Sequence, residues 1–395
     1  MLRLVAPHLW QLPNDSTPSA NGGWNWMLRI GLYELQRPLE KADDWIWIID
    51  HTIQTGKLKC FLIVGFRLSH WRSLDRPLIH QDLTVVALEP SESSVAEVVA
   101  KDLHAAVSRT GVPRAILSDG ARDLGKGMKI FAEDHPAVSH LHDAKHKFAL
   151  ILQRILEKDD HWSEFCKLTA KVRKDLRQDS LQYLTPPVMK TKARYMNLEE
   201  LVTWGVKTLR FVENPVPPSD EPINIGKLNI SLKWLKDYGD SFTRWDQLMK
   251  VIHVSMKYLR EHGYHQQAAE DLRSLLSPVA SVEAARQMSD SIIDSVTEES
   301  LHAKTLEHLP ASSEIIESLI GRGKRIEGQQ SRGGFTQSVL GMAAAVVNPT
   351  KEFITNAFQA VKTKDVTAWT REKIGITLQA LRVRVYREPN RTKMG

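Results

Sequence analysis

Apolar residues between positions 41 and 160 fall into two kinds of pattern, dense runs and stretches with helical spacing. Dense runs rich in β-branched and aromatic residues are typical of buried strands. Apolar residues at every third or fourth position are typical of helices with one buried face. The predicted strands are Trp45–Asp50, Lys59–Leu68, Leu83–Leu88, Arg114–Leu117 and Val138–Leu141, and the predicted helices are Ser94–Arg109, about Asp123–Glu133 and Lys145–Glu157.

The element order is therefore β-β-β-α-β-α-β-α, which predicts an α/β fold with one mixed sheet. Strands joined by short turns are expected to be antiparallel, and a strand–helix–strand connection is expected to be a right-handed parallel crossover. This is the order of the ribonuclease-H-like fold. A doubly wound nucleotide-binding fold needs a Gly-rich turn after its first strand, whereas Asp50-His51-Thr52 follows here.

The remaining chain divides by composition. Residues 1–40 contain several Pro and Gly and are predicted to be irregular, whereas residues 161–310 are predicted to form a mostly helical insertion. The core would then comprise 41–160 and a last helix within 311–350, followed by a basic helical tail over 351–395. The helices expected in the insertion are Leu201–Glu213, Ser231–Asp237, Phe242–His262 and Gln266–Leu276.

Two aspartates follow strands one and four, Asp50 at the end of the first and Asp119 just past the other. If these strands are parallel neighbours, both carboxylates project from the same region of the sheet. Their repulsion would be neutralised by a divalent cation, and oxygen-only ligands favour Mg²⁺ or Mn²⁺, as two ions about 3.5–4 Å apart. Each aspartate alone is also compatible with a helix cap or a turn.

A third acid is expected in a helix over Ser312–Glu327, where Glu317 and Lys324 share a face. The same spacing is compatible with a solvated amphipathic helix that carries a capping glutamate. Glu314 lies beside a Ser-Ser cap and Glu327 near the expected helix end, so Glu317, expected at mid-helix, is favoured. Asp143 remains an alternative third acid.

Taken together, these residues resemble the Asp-Asp-Glu transposases of bacterial insertion sequences. The resemblance rests on Asp50, Ser118-Asp119-Gly120 and the Glu–six residues–Lys spacing of Glu317 and Lys324, and it covers roughly 24–158 and 306–347. The fuller family signature has Tyr and Arg before this Glu, where the chain has Pro310 and Ser313. Further similar features are Lys324-Arg325, Gly334-Phe335 and the insertion before the last catalytic helix.

The resemblance implies a ribonuclease-H-like core in which Asp50, Asp119 and Glu317 hold two metal ions. One ion activates water or a DNA 3′-hydroxyl, and the other stabilises the leaving oxygen. The implied reaction is strand cleavage at the ends of the element, followed by strand transfer into target double-stranded DNA by a homodimer. Lys324, with Arg322 and Arg325, would bind terminal phosphates. The alternatives are a ribonuclease-H-like nuclease and a non-catalytic DNA-binding remnant.

A histidine cluster, His140-Leu141-His142-Asp143-Ala144-Lys145-His146, admits two further interpretations. A zinc site would use His140, His142 and His146, although their spacing crosses a strand–helix junction. The resemblance instead suggests Asp143 as an active-site neighbour, with Asp143 and His146 as an orienting pair. A capping aspartate with surface histidines is equally compatible.

Composition and charge add modest constraints. The 395 residues have a net charge of +6 and two cysteines, which permits a polyanionic partner and argues against a disulfide scaffold. Without an evident signal peptide or a long apolar span, a bacterial cytoplasmic location and no membrane partner are expected. Related transposases carry an N-terminal reader domain. Trp24–Leu35 resembles only the end of one, so an N-terminally truncated chain with low DNA-sequence specificity is expected.

Overall fold

The computed structural model describes residues 19–55, 58–188, 198–216, 222–328, 336–376 and 378–386. The chain forms two compact units, one made of 1–141 with 313–395 and the other of 142–312. The first unit contains almost all of the sheet, and the second is built mainly from helices. No helix in the described part of the chain is long and apolar enough to cross a membrane.

One five-stranded mixed sheet organises the first unit. The strands are β1 (Trp45–Thr55), β2 (Leu58–Arg67), β3 (Thr84–Ser91), β4 (Ala115–Ser118) and β5 (Ser139–His142). Their order in the sheet is β3-β2-β1-β4-β5. Strand β2 is antiparallel to both β1 and β3, and β4 is parallel to β1. The mixed α/β fold predicted from the sequence is therefore confirmed.

Helices cover the sheet on both faces. The helices of the first unit are α1 (Ala20–Gln36), α2 (Leu68–Ser73), α3 (Ala96–Thr110), α4 (Arg122–Asp134), α12 (Glu314–Gly328), α13 (Leu340–Val346), α14 (Lys351–Ala360), α15 (Thr363–Lys373) and α16 (Leu378–Val385). Trp47, Ile49 and Ile116 belong to one core cluster with Leu103 and Phe131, which places α3 and α4 on that face. Helix α12 packs against β1, and α1 and α13 pack against β3.

Two predictions about the first unit are wrong. The irregular region predicted over 1–40 contains α1, in which Leu28 and Leu32 are buried. Tertiary packing overrides the low helix propensity of Gly22-Gly23. Asp50 does not close its strand, because β1 continues to Thr55 in a long antiparallel ladder with β2.

Helices form almost all of the second unit, around an aromatic core that includes Phe165 and Trp245. An isolated antiparallel bridge joins Tyr264 to Leu309. The prediction did not include the helix over Glu283–Ser300. The helices are α5 (Ala144–Leu156), α6 (Asp160–Leu176), α7 (Glu199–Glu213), α8 (Ile225–Leu232), α9 (Gly239–His262), α10 (Ala268–Leu276) and α11 (Glu283–Ser300), and Lys233–Tyr238 forms a 3-10 turn.

Candidate functional site

Asp50 and Asp119 are brought together by the parallel pairing of β1 and β4. Ile46, Trp47 and Ile48 pair with Ala115, Ile116 and Leu117. Asp50 lies two residues further along β1, and Asp119 lies two residues beyond Leu117, just past the end of β4. The neighbouring parallel strands expected from the sequence are therefore present, and the two aspartates follow the paired residues at matched positions.

Strand alternation places Asp50 on the face of the sheet opposite α3 and α4. Successive strand residues point to opposite faces. Trp47, Ile49 and Ile116 point towards α3 and α4, so Asp50 and Leu117 belong to the other face. Asp119 lies just past β4, which ends at Ser118, so alternation does not extend to it. Asp50 and Asp119 are both half-buried. A cation between them would be partly shielded from bulk water.

Helix α12 lies on this second face, because it packs against β1 and the first face is covered by α3 and α4. Its buried stripe consists of Ile316, Leu319, Ile320 and Gly323. Glu317 borders this stripe and is half-buried. It lies in the first turn of the helix together with Glu314, so its expected position at mid-helix is wrong.

The three basic residues predicted to bind phosphate are exposed on α12. Lys324 follows Glu317 by seven residues, which returns it to nearly the same direction around the helix axis. Arg322 and Arg325 lie on either side of Lys324 in sequence. Gly334-Phe335, which the resemblance also used, lies outside the described residues.

A tight turn fixes Asp119 at the end of β4. Its Oδ1 atom accepts a hydrogen bond from the backbone N of Ala121 at 2.9 Å, and Gly120 N donates to Ser118 Oγ at 3.3 Å. Gly120 has φ of +78°, a conformation that glycine adopts without steric cost. Within the described residues, Oδ2 of Asp119 makes no hydrogen bond. The turn therefore holds one carboxylate oxygen and leaves the other available to a ligand.

Two residues directly after Asp50 lie on opposite faces of β1, and the sequence argument gave neither of them a role. His51 stacks on Phe61 with ring centroids 5.4 Å apart. Burial lowers the pKa of His51, and Lys59 lowers it further, against the opposing charges of Asp119 and Asp123. The hydroxyl of Thr52 is buried without a hydrogen-bond partner among the described residues, and strand alternation puts it on the face of Asp50. Their position directly after the first aspartate was the available signal.

The Asp143–His146 pair is present in the second unit. Asp143 is fully buried and caps α5, where Oδ1 accepts from the backbone N of His146 at 2.8 Å and lies 3.0 Å from His146 Nδ1. The two alternatives, a capping aspartate and an aspartate that orients His146, are therefore both present in one geometry. Its accessory role in catalysis stays a prediction.

Glu299 is a buried carboxylate that the sequence argument missed. Its Oε2 accepts from His142 N at 3.0 Å, and its Oε1 lies 2.8 Å from His142 Nδ1 and 3.0 Å from Lys147 Nζ. Burial would raise the pKa of Glu299, but the hydrogen bonds from His142 and Lys147 lower it overall. His142 and His146 are therefore held by different carboxylates, each in its own pair.

The three acids expected to bind metal, all of them in the described ranges, do not form a group in the structure, but two of them remain candidates for a simpler magnesium site. Nowhere in the described parts of the chain do three or more His, Cys, Asp or Glu side chains form a group that could hold a metal. This applies to the expected set of Asp50, Asp119 and Glu317 and to the zinc alternative. Mg²⁺, however, commonly keeps several waters and binds through one or two carboxylates plus substrate phosphates. A site made of Asp50 and Asp119 alone would be of this smaller kind.

The sequence matches no protein-family model, and no curated protein matches it significantly.

Proposed function

We propose that the first unit is a ribonuclease-H-like catalytic core that cleaves and transfers DNA strands, as an Asp-Asp-Glu transposase does. The observation that carries the proposal is the parallel register of β1 and β4, with an aspartate two residues beyond the last paired residue of each. The strand order β3-β2-β1-β4-β5, with β2 antiparallel to its neighbours, supports the same fold.

Each residue has a defined part in this proposal. Asp50 and Asp119 would hold Mg²⁺ or Mn²⁺ beside the end of β4, and Glu317 would approach from α12 when substrate binds. Lys324, Arg322 and Arg325 are exposed on α12 and contact the DNA phosphates. When bound, the divalent ions supply positive charge that stabilises oxygen anions in phosphodiester chemistry.

The chain's own residues position the DNA. The half-buried carboxylates keep the reacting phosphate beside the end of β4, and the basic side chains of α12 hold the flanking backbone. His51, whose pKa is lowered mainly by burial and also by Lys59, is more neutral at neutral pH than an exposed histidine. His51 therefore offsets little of the negative charge of Asp119 and Asp123.

Nicking of supercoiled plasmid in Mg²⁺, followed by transfer of a labelled DNA end to a second plasmid, tests the proposal. Asp50→Asn and Asp119→Asn are expected to abolish both products while thermal stability is retained, and Asp75→Asn, an exposed acid before β3, serves as the matched control. Cleavage without transfer would assign the core to a nuclease. Metal-independent or variant-insensitive cleavage would contradict the proposal.

A further inference from the structure

The second unit contains a groove of about 940 Å³ that the proposed catalytic site does not use. Its two walls are α5 and α11, and Leu248 of α9 lies in its lining. Lys147 at the start of α5 contacts Glu298 near the end of α11, with Nζ and Oε2 3.7 Å apart. At the other end, Arg244 contacts Asp159, with Nη2 and Oδ2 2.7 Å apart. The start of α5 therefore lies beside the end of α11, and an ion pair lies at each end of the groove.

The lining residues repeat at the spacing of a helix-packing seam. On α11 the lining positions are 284, 287, 291, 294, 295 and 298, and on α5 they are 147, 150, 151, 154 and 155, with Lys158 just past the helix end. Such spacing keeps one stripe of each helix facing a common partner. The stripes extend roughly 12 Å along α5 and 21 Å along α11, at about 1.5 Å per residue. These lengths match two to four turns of a third helix.

The chemistry of the lining also suits a helix. Leu150, Ile151 and Ile155 supply apolar surface on α5, and Leu150 is 53% exposed. Ala284, Ser291 and Ser295 on α11 are small, which allows a neighbouring helix to approach closely. A groove with an apolar stripe between charged walls can receive an amphipathic helix.

Charge gives the groove two different sides. Arg154 and Lys158 line the α5 side, with Asp160 following them at the start of α6, and Asp294 lines the α11 side. None of these four side chains forms an ion pair with any residue of the described ranges. A nucleic acid would meet Asp294 and Glu298 unfavourably, since both would face phosphates. An occupant with acidic residues on one edge and basic residues on the other would satisfy both walls.

We infer that this groove is a docking site for an amphipathic helix of a partner protein. The helix presents an apolar stripe to Leu150, Ile151 and Leu248, acidic side chains to Arg154 and Lys158, and basic side chains to Asp294. The inference is independent of Asp50 and Asp119, so it stands whether or not the first unit cleaves DNA.

Fluorescence anisotropy with the full-length chain and lactam-stapled peptides of two heptads tests the inference. The first peptide has Leu at the two core positions of each heptad, Glu along one edge and Lys along the other. A second replaces Leu by Ser, and a third carries Lys on both edges. The wild-type protein is expected to bind the first peptide saturably and the Ser peptide at least about tenfold more weakly, because the apolar contact area is lost.

Charge reversal in the protein provides the specific readout. The Arg154→Glu, Lys158→Glu double variant is expected to weaken binding of the first peptide about tenfold and to tighten binding of the third, because both walls then become acidic. Reversal of Lys171 and Lys174, exposed on α6 outside the groove, is the matched control and is expected to change neither affinity. Ser291→Trp, which fills the groove, is expected to weaken binding of every peptide.

Three outcomes would overturn the inference. The first is no saturable binding of the Glu/Lys peptide by the wild type. The second is equal loss in the α6 control and in the groove variant. The third is competition with the peptide by a short DNA duplex whose own binding is lost in the Ser291→Trp variant. That result would assign the groove to nucleic acid. Circular dichroism of each variant verifies that the helices are intact.

Discussion

Ile48 of β1 pairs with Leu117 of β4 in parallel register, and each is followed two residues later by an aspartate. This relationship puts Asp50 and Asp119 at the same level of two neighbouring parallel strands, where β4 ends. Two carboxylates so placed repel each other unless a cation or a proton intervenes. The proposed divalent-metal site follows from that requirement, and the predictions below test its parts.

Glu317 is expected to be the third acid. If the core is active, Glu317→Gln abolishes Mg²⁺-dependent cleavage and leaves DNA binding and folding largely intact, because the amide keeps the size of the side chain and removes its charge. Glu327→Gln, near the end of the same helix, is the matched control and keeps most of the activity. Plasmid cleavage and DNA anisotropy give the two readouts. The reverse result would move the third acid to Glu327, and wild-type activity of both variants would point to Asp143.

DNA binding is expected to depend steeply on salt, because exposed cations on α12 would displace counterions from phosphates. The double variant Lys324→Ala, Arg325→Ala should reduce the slope of log affinity against log salt by about 2, since each lost phosphate contact contributes roughly 0.9. The control variant Lys207→Ala, Arg210→Ala changes two exposed cations of α7. A flat salt titration of the wild type would contradict a phosphate-based interface.

The strand and helix order could be predicted from sequence because it depends on local periodicity, as in Trp45–Ile49 and in α3. The extension of β1 to Thr55 could not, since the polar residues after Asp50 are held in the strand by their cross-strand partners on β2. Nor could α1, whose Gly22-Gly23 argues locally against a helix. Both depend on tertiary packing, which overrides local propensity.

The same limit applies to the candidate site. The acids Asp50 and Asp119 could be identified because each lies at or beside a predicted strand, and the register then followed from the fold. Glu299 could not, because it lies 157 residues from its partner His142 and nothing local marks it. The groove between α5 and α11 was equally hidden, since it exists only when two distant helices pack side by side.

The packing of α1 against α13 makes a sharp stability prediction. A Cβ atom at Gly31 would overlap with the backbone carbonyl of Leu340, which cannot move aside as a side chain does. Gly31→Ala is therefore expected to lower the free energy of unfolding by about 1–3 kcal/mol or more. Gly125→Ala in α4, where the added Cβ meets no atom within 4 Å, is the matched control and should stabilise by about 0.5–1 kcal/mol. Urea unfolding followed by circular dichroism measures both, and equal effects would contradict the packing.

Asp102 on α3 is expected to make the fold less stable as pH rises. Burial and the neighbouring Glu89 raise the pKa of Asp102 from 3.8 to about 6. The folded state then binds more protons than the unfolded state between these values, so stability is lost as pH rises through about 4 to 6. Because Asp102 is partly exposed, the loss should be about 1 kcal/mol rather than the full value of the shift.

The difference between wild type and Asp102→Asn isolates this effect from the other carboxyls. The variant should gain stability relative to wild type across that pH interval and keep the gain at pH 7. Asp134→Asn, an exposed acid of α4 paired with His104, serves as the control. Thermal unfolding from pH 4 to pH 7 gives the comparison, and parallel curves for wild type and Asp102→Asn would show that the carboxyl is not perturbed.

Anomalous diffraction from crystals grown with Mn²⁺ tests the central claim most directly, because it locates the ion without requiring the correct DNA substrate. The expected result is an Mn²⁺ peak bound by carboxylate oxygens of Asp50 and Asp119, which disappears in Asp119→Asn crystals while the Gly120 turn is retained. An Mn²⁺ peak bound by other residues only, or no peak beside Asp50 and Asp119 at saturating Mn²⁺, would contradict the account.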